Sequence, residues 1–147
     1  MALDPSFVGR TYPPTPPHLV DRAQIADFAD AVGATDAAHR DPAAAQALGY
    51  PDVVAPPTFP IKLTLNAGRA VVDDPTLGLD YSRVVHGDQR FSYTRPVVAG
   101  DELSCVCTVE EVMSRAGNDF VTIRTDVVDA AGSPVVRAWT RLVSRGE

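Results

Sequence analysis

The spacing of apolar residues changes once along this 147-residue chain, near residue 83, and that change restricts the fold more than any other feature. Segments 83–95, 103–114, 119–129 and 134–144 are rich in Val, Thr, Phe and Tyr and alternate apolar with polar residues. That is the two-residue period of a strand with one buried face. Turn signals at Val98-Ala99-Gly100-Asp101, Ala116-Gly117-Asn118 and Ala130-Ala131-Gly132-Ser133 separate the segments. The pattern predicts four consecutive antiparallel strands.

Ahead of residue 83 the period is helical. Asp21 has the position of an N-cap with Gln24 in the capping-box place, and Ile25, Phe28, Ala29 and Val32 follow as one apolar face that stops at Gly33. Asp41, Pro42 and Gly49 bracket a second short helix over Pro42–Leu48. Pro51, Pro56, Pro57 and Pro60 make 51–60 an irregular loop, in which Thr58 is a candidate cap for the next helix. Ile61, Leu65, Gly68 and Val72 then share a face of that longer helix, which closes before Asp73-Asp74-Pro75. A mid-helix glycine costs about 1 kcal/mol relative to alanine, so Gly68 predicts close packing against a sheet.

Within an N-terminal arm of residues 1–20, Pro13, Pro14, Pro16 and Pro17 exclude helix and predict an extended segment lying on the domain, as a tether or as a lid. A long helix followed by long strands gives an α+β fold, with an antiparallel sheet wrapped on a central helix, in one domain over 1–147.

Composition narrows the function. A net charge of −6 and a pI near 4.9 argue against nucleic acid and against an anionic membrane surface. No charged-then-apolar leader is read at the N-terminus and no apolar run approaches about 18 residues, so a cytoplasmic protein is expected. Cys105 and Cys107, at i and i+2, point to one face in a poor geometry for a disulfide, and they read as structural thiols. There is no Gly-rich phosphate loop, nucleophile elbow or metal-ligand spacing, so neither metal nor cofactor is expected.

Acid–base chemistry concentrates in Gly33-Ala34-Thr35-Asp36-Ala37-Ala38-His39-Arg40-Asp41-Pro42, at a helix-to-loop junction. A second polar cluster, His86-Gly87-Asp88-Gln89-Arg90, reads as a ligand or subunit contact, or as a solvated strand end with a glycine bulge. Arg90, Arg95, Arg137 and Arg141 alternate with apolar residues, which suits an outer face or a phosphorylated carrier. Trp139 reads as core or subunit interface.

These segments, with Val54-Ala55-Pro56-Pro57-Thr58-Phe59, Leu77-Gly78-Leu79-Asp80-Tyr81, Val85-His86-Gly87-Asp88-Gln89-Arg90-Phe91 and Arg95-Pro96-Val97-Val98-Ala99-Gly100-Asp101, resemble the MaoC-like hydratases and dehydratases over nearly the whole chain. The likeness is to their N-terminal-type domains, and especially to the HadA-like subunit of (3R)-hydroxyacyl-ACP dehydratases. It implies a hot-dog fold, an acyl-CoA or acyl-ACP thioester ligand, and pairing with a catalytic MaoC-like subunit or with a second copy. It implies ligand contacts from Pro57, Thr58, Phe59, Ile61, Leu65, His86 and Gly87, and an oxyanion site at the start of the helix after Thr58.

The family's catalytic segment reads Asp-x-Asn-Pro-x-His. His39 falls on its His, but its Asp falls on Ala34, its Asn on Asp36 and its Pro on Ala37. Adding water to an enoyl thioester needs an acid and a base on one face of a flat substrate. Three readings are open. The chain is a silent half of a heterodimer; or Asp36 takes over the lost carboxylate in a homodimeric hydratase with His39; or both residues are structural in a non-catalytic acyl-thioester binding protein.

Overall fold

The computed structural model describes residues 3–146, so residues 1, 2 and 147 of the expected span lie outside the described residues. Three α-helices and five strands run in the order β1 (His18–Leu19), α1 (Arg22–Val32), α2 (Pro42–Ala47), α3 (Ile61–Val72), β2 (Val84–Tyr93), β3 (Glu102–Arg115), β4 (Asn118–Val128) and β5 (Pro134–Ser144). The α+β arrangement expected from the change of period is present. None of the described helices is long and apolar enough to cross a membrane.

Capping chemistry starts and stops α1 largely as its sequence predicts. The Asp21 side chain accepts from the Gln24 amide, and Gly33 ends the helix at φ 72, a left-handed value that favours glycine. The reciprocal half of the capping box is not made. Gln24 instead pairs through Oε1 with His18 Nε2 at 2.7 Å and donates from Nε2 to the Leu19 carbonyl, which ties α1 to β1. Ile25 and Ala29 are buried, but Val32 is 51% exposed, because the last turn runs past the edge of the core.

The cap expected from Thr58 is absent. Pro60 opens α3 in αR geometry without a side-chain cap. The buried face of α3 is Thr64, Ala67, Gly68, Val71 and Val72, not the stripe through Ile61 and Leu65. That face packs chiefly over β3 and β4. A Cβ on Gly68 would stand 3.8 Å from Ile123 Cδ1, an ordinary contact. Gly68 is therefore buried against the sheet as expected, yet the sheet does not demand a glycine there.

The sheet order is β1-β3-β4-β5-β2. Strands β3, β4 and β5 form the expected meander, but β2 pairs with β5, not with β3. The connection 94–101 is too long and proline-bearing for a hairpin turn, and it carries the chain from one edge of the sheet to the other. Registers align the inward rows: Leu103, Cys105, Cys107 and Val109 on β3, Val121, Ile123, Thr125 and Val127 on β4, and Val136, Ala138, Thr140 and Leu142 on β5. A bulge between Val109 and Glu111 adds one residue to β3, so that Val112 again faces inward opposite Val121. Cys105 and Cys107 are buried and free, and burial pushes the Cys105 thiol up to about 12, which removes its nucleophilic character at neutral pH.

The proline-rich arm lies along the outer edge of β3. Gly9, Tyr12 and Thr15 donate to the carbonyls of Val109, Cys107 and Cys105 at 2.8–2.9 Å. Their spacing of three is that of a polyproline helix, so Pro13, Pro14, Pro16 and Pro17 occupy positions where no donor is needed. The Tyr12 hydroxyl and Arg10 both reach Asp74 Oδ2, at 2.9 and 3.1 Å. Of the two expectations for the arm, the tether matches this placement.

Charge fixes the crossover. Arg95 binds Asp101 through two bonds of 2.9 and 3.0 Å and reaches Asp129 at 3.3 Å. Asp101 accepts from the Val98 amide, and Asp129 accepts from the Ala131 and Ser133 amides of the β4–β5 turn. The other strand arginines are also partnered. Arg137 meets Asp126, Arg141 meets Glu111, and Arg90 stacks 4.2 Å over Trp139, which is itself half-buried.

These contacts can be tested at two points. Arg95→Leu leaves two carboxylates without their cation, and a loss of about 2 kcal/mol is expected in urea denaturation; an unchanged midpoint would show that the clamp contributes nothing. The arm's anchor carries a pH window. Thr76, through its hydroxyl and amide, and then Tyr12 hold the Asp74 carboxyl down to about 2, below its ordinary 3.8, so its contribution is complete above 3.8 and is lost as pH falls toward 2. Burial, then Asp74, pushes Tyr12 from 10.0 up to about 12, so that contribution is lost only as pH rises through 12. Amide-exchange protection at Tyr12 and Thr15 is expected to stay constant from pH 3.8 to 10.0, and Asp74→Asn is expected to lower it at neutral pH.

Candidate functional site

A groove of about 390 Å³ opens between the Asp36–His39 segment, the 53–57 loop and the end of β2. Asp36, His39, Tyr50, Pro57, Tyr93 and Arg95 are among its lining residues. A volume of this size lies within the range of small-molecule sites.

The sequence builds this wall from short local devices. Asp36 caps a single 3-10 turn over Ala37–His39, its Oδ1 accepting from the Ala38 amide at 2.9 Å. Arg40 holds the preceding loop, donating to the carbonyls of Ala34 and Asp36 and pairing with Asp30 at 2.6 Å. Asp41 caps α2, which ends one residue before the expected Leu48.

His39 is fixed by the neighbouring loop. Its Nδ1 lies 2.7 Å from the Val54 carbonyl. A carbonyl only accepts, so Nδ1 carries a proton, and it is the neutral form of the ring that has its lone pair on Nε2. The Val54 amide in turn donates to the Ala38 carbonyl at 3.0 Å. Residues 53–55 are themselves bonded to the crossover, Ala55 to the Val97 carbonyl and Ala99 to the Val53 carbonyl. The imidazole therefore stands on a rigid stack of backbone bonds.

On the opposite wall the Tyr93 hydroxyl donates to the Pro57 carbonyl at 2.6 Å. Burial raises its pKa well above the usual phenol range, so it remains a neutral donor at physiological pH. The amides at the start of α3 are spent within the turn: Phe59 on Pro56, Ile61 on Thr58, and Lys62 on Phe59. These three are spent as donors, while the Thr58 amide has no hydrogen bond among the described residues and is the one at the expected oxyanion position that is unengaged.

The structure brings together Asp36, His39 and Pro57 from the sequence-derived set. Ala34, at the family's Asp position, is not among the groove-lining residues, and its carbonyl is taken by Arg40. Thr58 is exposed in the turn before α3. Phe59 is 1% exposed and packs edge-on against Phe28, a core residue. Ile61 is half-buried, and Leu65 lines a different concavity. His86 and Gly87 form a bulge toward the other end of β2, where His86 Nε2 meets the Asp88 carbonyl. Sequence reasoning missed Tyr93 and Tyr50 as groove residues, and it offered Arg95 only as one of four arginines suited to an outer face or a phosphorylated carrier. The signal available for Tyr93 and Arg95 was a strand end running into a proline-bearing connection.

Comparison with known proteins gives the family and the fold. A family profile described as FAS1-like, dehydratase domain region, matches residues 6–138. UPF0336 proteins of Streptomyces coelicolor and Streptomyces griseus are 59% and 61% identical over 145 residues, covering 99% of this chain and 97% of each relative. A solved MaoC-like dehydratase is similar with a TM-score of 0.89 at 32% identity, over 96% of this chain and 43% of that one, so this chain spans less than half its length. The truncated HadBC (3R-hydroxyacyl-ACP dehydratase) complex from Mycobacterium tuberculosis gives a TM-score of 0.82 at 32% identity, over 93% of this chain and 96% of that one. The R-hydratase PhaJ1 from Pseudomonas aeruginosa, at 23% identity and a TM-score of 0.70, shares the fold over 95% of this chain and 83% of its own. The curled antiparallel sheet on a central helix is thus the hot-dog fold, and the chain belongs to the FAS1-like dehydratase family of MaoC-like domains.

Proposed function

We propose that this chain is the substrate-holding subunit of an (R)-specific 3-hydroxyacyl-thioester dehydratase, equally an enoyl-thioester hydratase in reverse, and that a MaoC-like partner with an intact Asp/His pair carries out the proton transfers. Dehydration removes a proton from C2 and delivers one to the hydroxyl leaving C3, so two groups must work on one face. The observation that carries the reading is that the groove holds the family's histidine without the family's carboxylate. His39 presents a free Nε2, residue 34 is alanine, and the Asp36 carboxylate serves as the cap of its own turn. No hydrogen bond among the described residues joins Asp36 to the His39 ring.

A partner suits the sheet as well. The outer edge of β2 is unpaired among the described strands over ten residues, and an open edge of that length is a pairing surface. Similar solved proteins include two-protein assemblies, HadBC and ChsH1-ChsH2. The thioester ligand, borne by CoA or by an acyl carrier protein, comes from the family reading, and the cytoplasmic setting from the cysteine usage and the lack of a long apolar run.

A second reading rests on one fact: Asp36 and His39 line the same groove. A homodimeric hydratase would use both. A non-catalytic acyl-thioester binding protein is the third possibility.

The purified chain alone is expected to give no hydration of crotonyl-CoA or longer enoyl-CoA substrates, and to become active when co-expressed with a MaoC-like subunit bearing the full motif. Turnover by the chain alone that His39→Ala abolishes would replace this reading with the homodimer. Binding without turnover in either format would leave the binding protein. Asp36→Asn separates cap from catalyst, since Asn caps as well as Asp. The melting temperature and the activity of the complex are expected to hold, while Asp36→Ala costs about 1 kcal/mol of stability. A drop in turnover of about a hundredfold for Asp36→Asn would assign the carboxylate to catalysis.

A further inference from the structure

The start of β2 carries a polar cluster that has no task within its own chain. His86 stands opposite Leu142 and Tyr93 opposite Val136, and both of those β5 residues are buried. His86 and Tyr93 therefore face the same inner side of the sheet, the side on which Tyr93 lines the groove. His86 is nevertheless exposed, because α3 packs chiefly over β3 and β4 and leaves this edge open.

A bulge fixes how His86 is presented. The register shifts between His86 and Asp88, with Gly87 as the extra residue. A Cβ on Gly87 would come within 2.9 Å of Val143 Cγ2, so the bulge is built around a glycine. It brings His86 Nε2 to 3.1 Å from the Asp88 carbonyl. A carbonyl only accepts, so Nε2 carries a proton, and the neutral ring has its lone pair on Nδ1. No hydrogen bond among the described residues engages Nδ1. Bulges at sheet edges commonly re-aim a side chain in this way.

The groove lies at the other end of the same strand, so His86 does not serve it within one chain. The outer edge of β2 is unpaired among the described strands, and the partner assigned to it above has the same fold. Two like sheets joined edge to edge about a two-fold axis run their edge strands antiparallel and keep both inner faces on one side. The start of one strand then lies beside the end of the other. His86 is the third of ten residues, so a pairing centred on the strand puts it opposite the third residue from the end of the partner's strand. That is about 7 Å from the strand end, where a groove like this one opens.

We propose that His86 acts in trans: its imidazole reaches the groove of the catalytic partner, where Nδ1 accepts the amide N–H nearest the sulphur of the bound thioester. CoA and acyl carrier proteins present the thioester on the same arm, with an amide two carbons from the sulphur. An N–H drawn out of water there needs an acceptor. The assignment rests on the dehydratase reading above and adds a ligand contact that this chain makes for its partner.

The test is hydration of two crotonyl thioesters by the co-expressed complex. The N-acetylcysteamine ester keeps the amide, and the S-butyl ester lacks it. His86→Phe keeps a ring and removes the acceptor. It is expected to raise KM for the N-acetylcysteamine ester roughly fivefold, the worth of one net hydrogen bond, with kcat unchanged. The S-butyl ester is expected to be unaffected. His86→Gln, which carries a carbonyl acceptor, is expected to restore most of the loss. Equal loss on both esters, or no loss on either, overturns the contact. Placement is read separately with the photo-crosslinker p-benzoylphenylalanine at position 86 of the complex. Irradiation is expected to join this chain to the end of the partner's edge strand, located by peptide mass. A cross-link elsewhere on the partner, one confined to this chain, or none overturns the placement and the proposal with it. Absence of turnover by the unsubstituted complex is the failure of the dehydratase reading instead, and the cross-link then decides the placement of His86 by itself.

Discussion

The guanidinium of Arg95, held between Asp101 and Asp129, is the contact from which the geometry of the groove follows. The first long strand, β2, sits at one edge of the sheet and the next, β3, lies at the far side beside the short β1, so the chain must cross the molecule within residues 94–101. Arg95 pins both ends of that crossing to the β4–β5 turn. The crossing then acts as a template. Val53 and Ala55 bond to it, Val54 bonds to Ala38 and accepts from His39, and the imidazole is thereby aimed. A charge cluster at the sheet edge and a ring nitrogen in the groove are parts of one mechanical chain, which suits a site that must hold its geometry to a fraction of an ångström.

What was legible in the sequence was local. The caps at Asp21 and Asp41, the stop at Gly33, the turns between β3, β4 and β5 and the inward-facing thiols all depend on residues within a few positions of one another. The illegible parts depend on partners far along the chain. The pairing of β2 with β5 joins residues about fifty positions apart, and nothing in either strand's alternation selects that neighbour. The buried stripe of α3 is rotated from the one that its apolar residues suggest, because tertiary packing buries Thr64 and leaves Leu65 43% exposed.

The candidate site shows the same division. Asp36 and His39 were visible as acid–base residues, and both line the groove. Their roles were not visible, since the Asp36 cap and the His39–Val54 bond are matters of geometry. Tyr93 was hidden because a strand tyrosine has many bland uses, and Arg95 stood out no more than three other arginines because its place in the crossing depends on distant partners. Residues taken from the family pattern fared unevenly: Pro57 reached the groove, while Phe59 went to the core and His86 toward the other end of β2.

The proline-rich arm has a consequence for assembly. By bonding along β3 it occupies one margin of the sheet, and β2 remains as the open margin among the described strands. A sheet with two free margins can add copies indefinitely and grow into a ribbon, whereas a sheet with one can only close on a single neighbour. The described part of the arm, which contributes little to the groove, thus acts as a stop on one margin and leaves further strand pairing to the other.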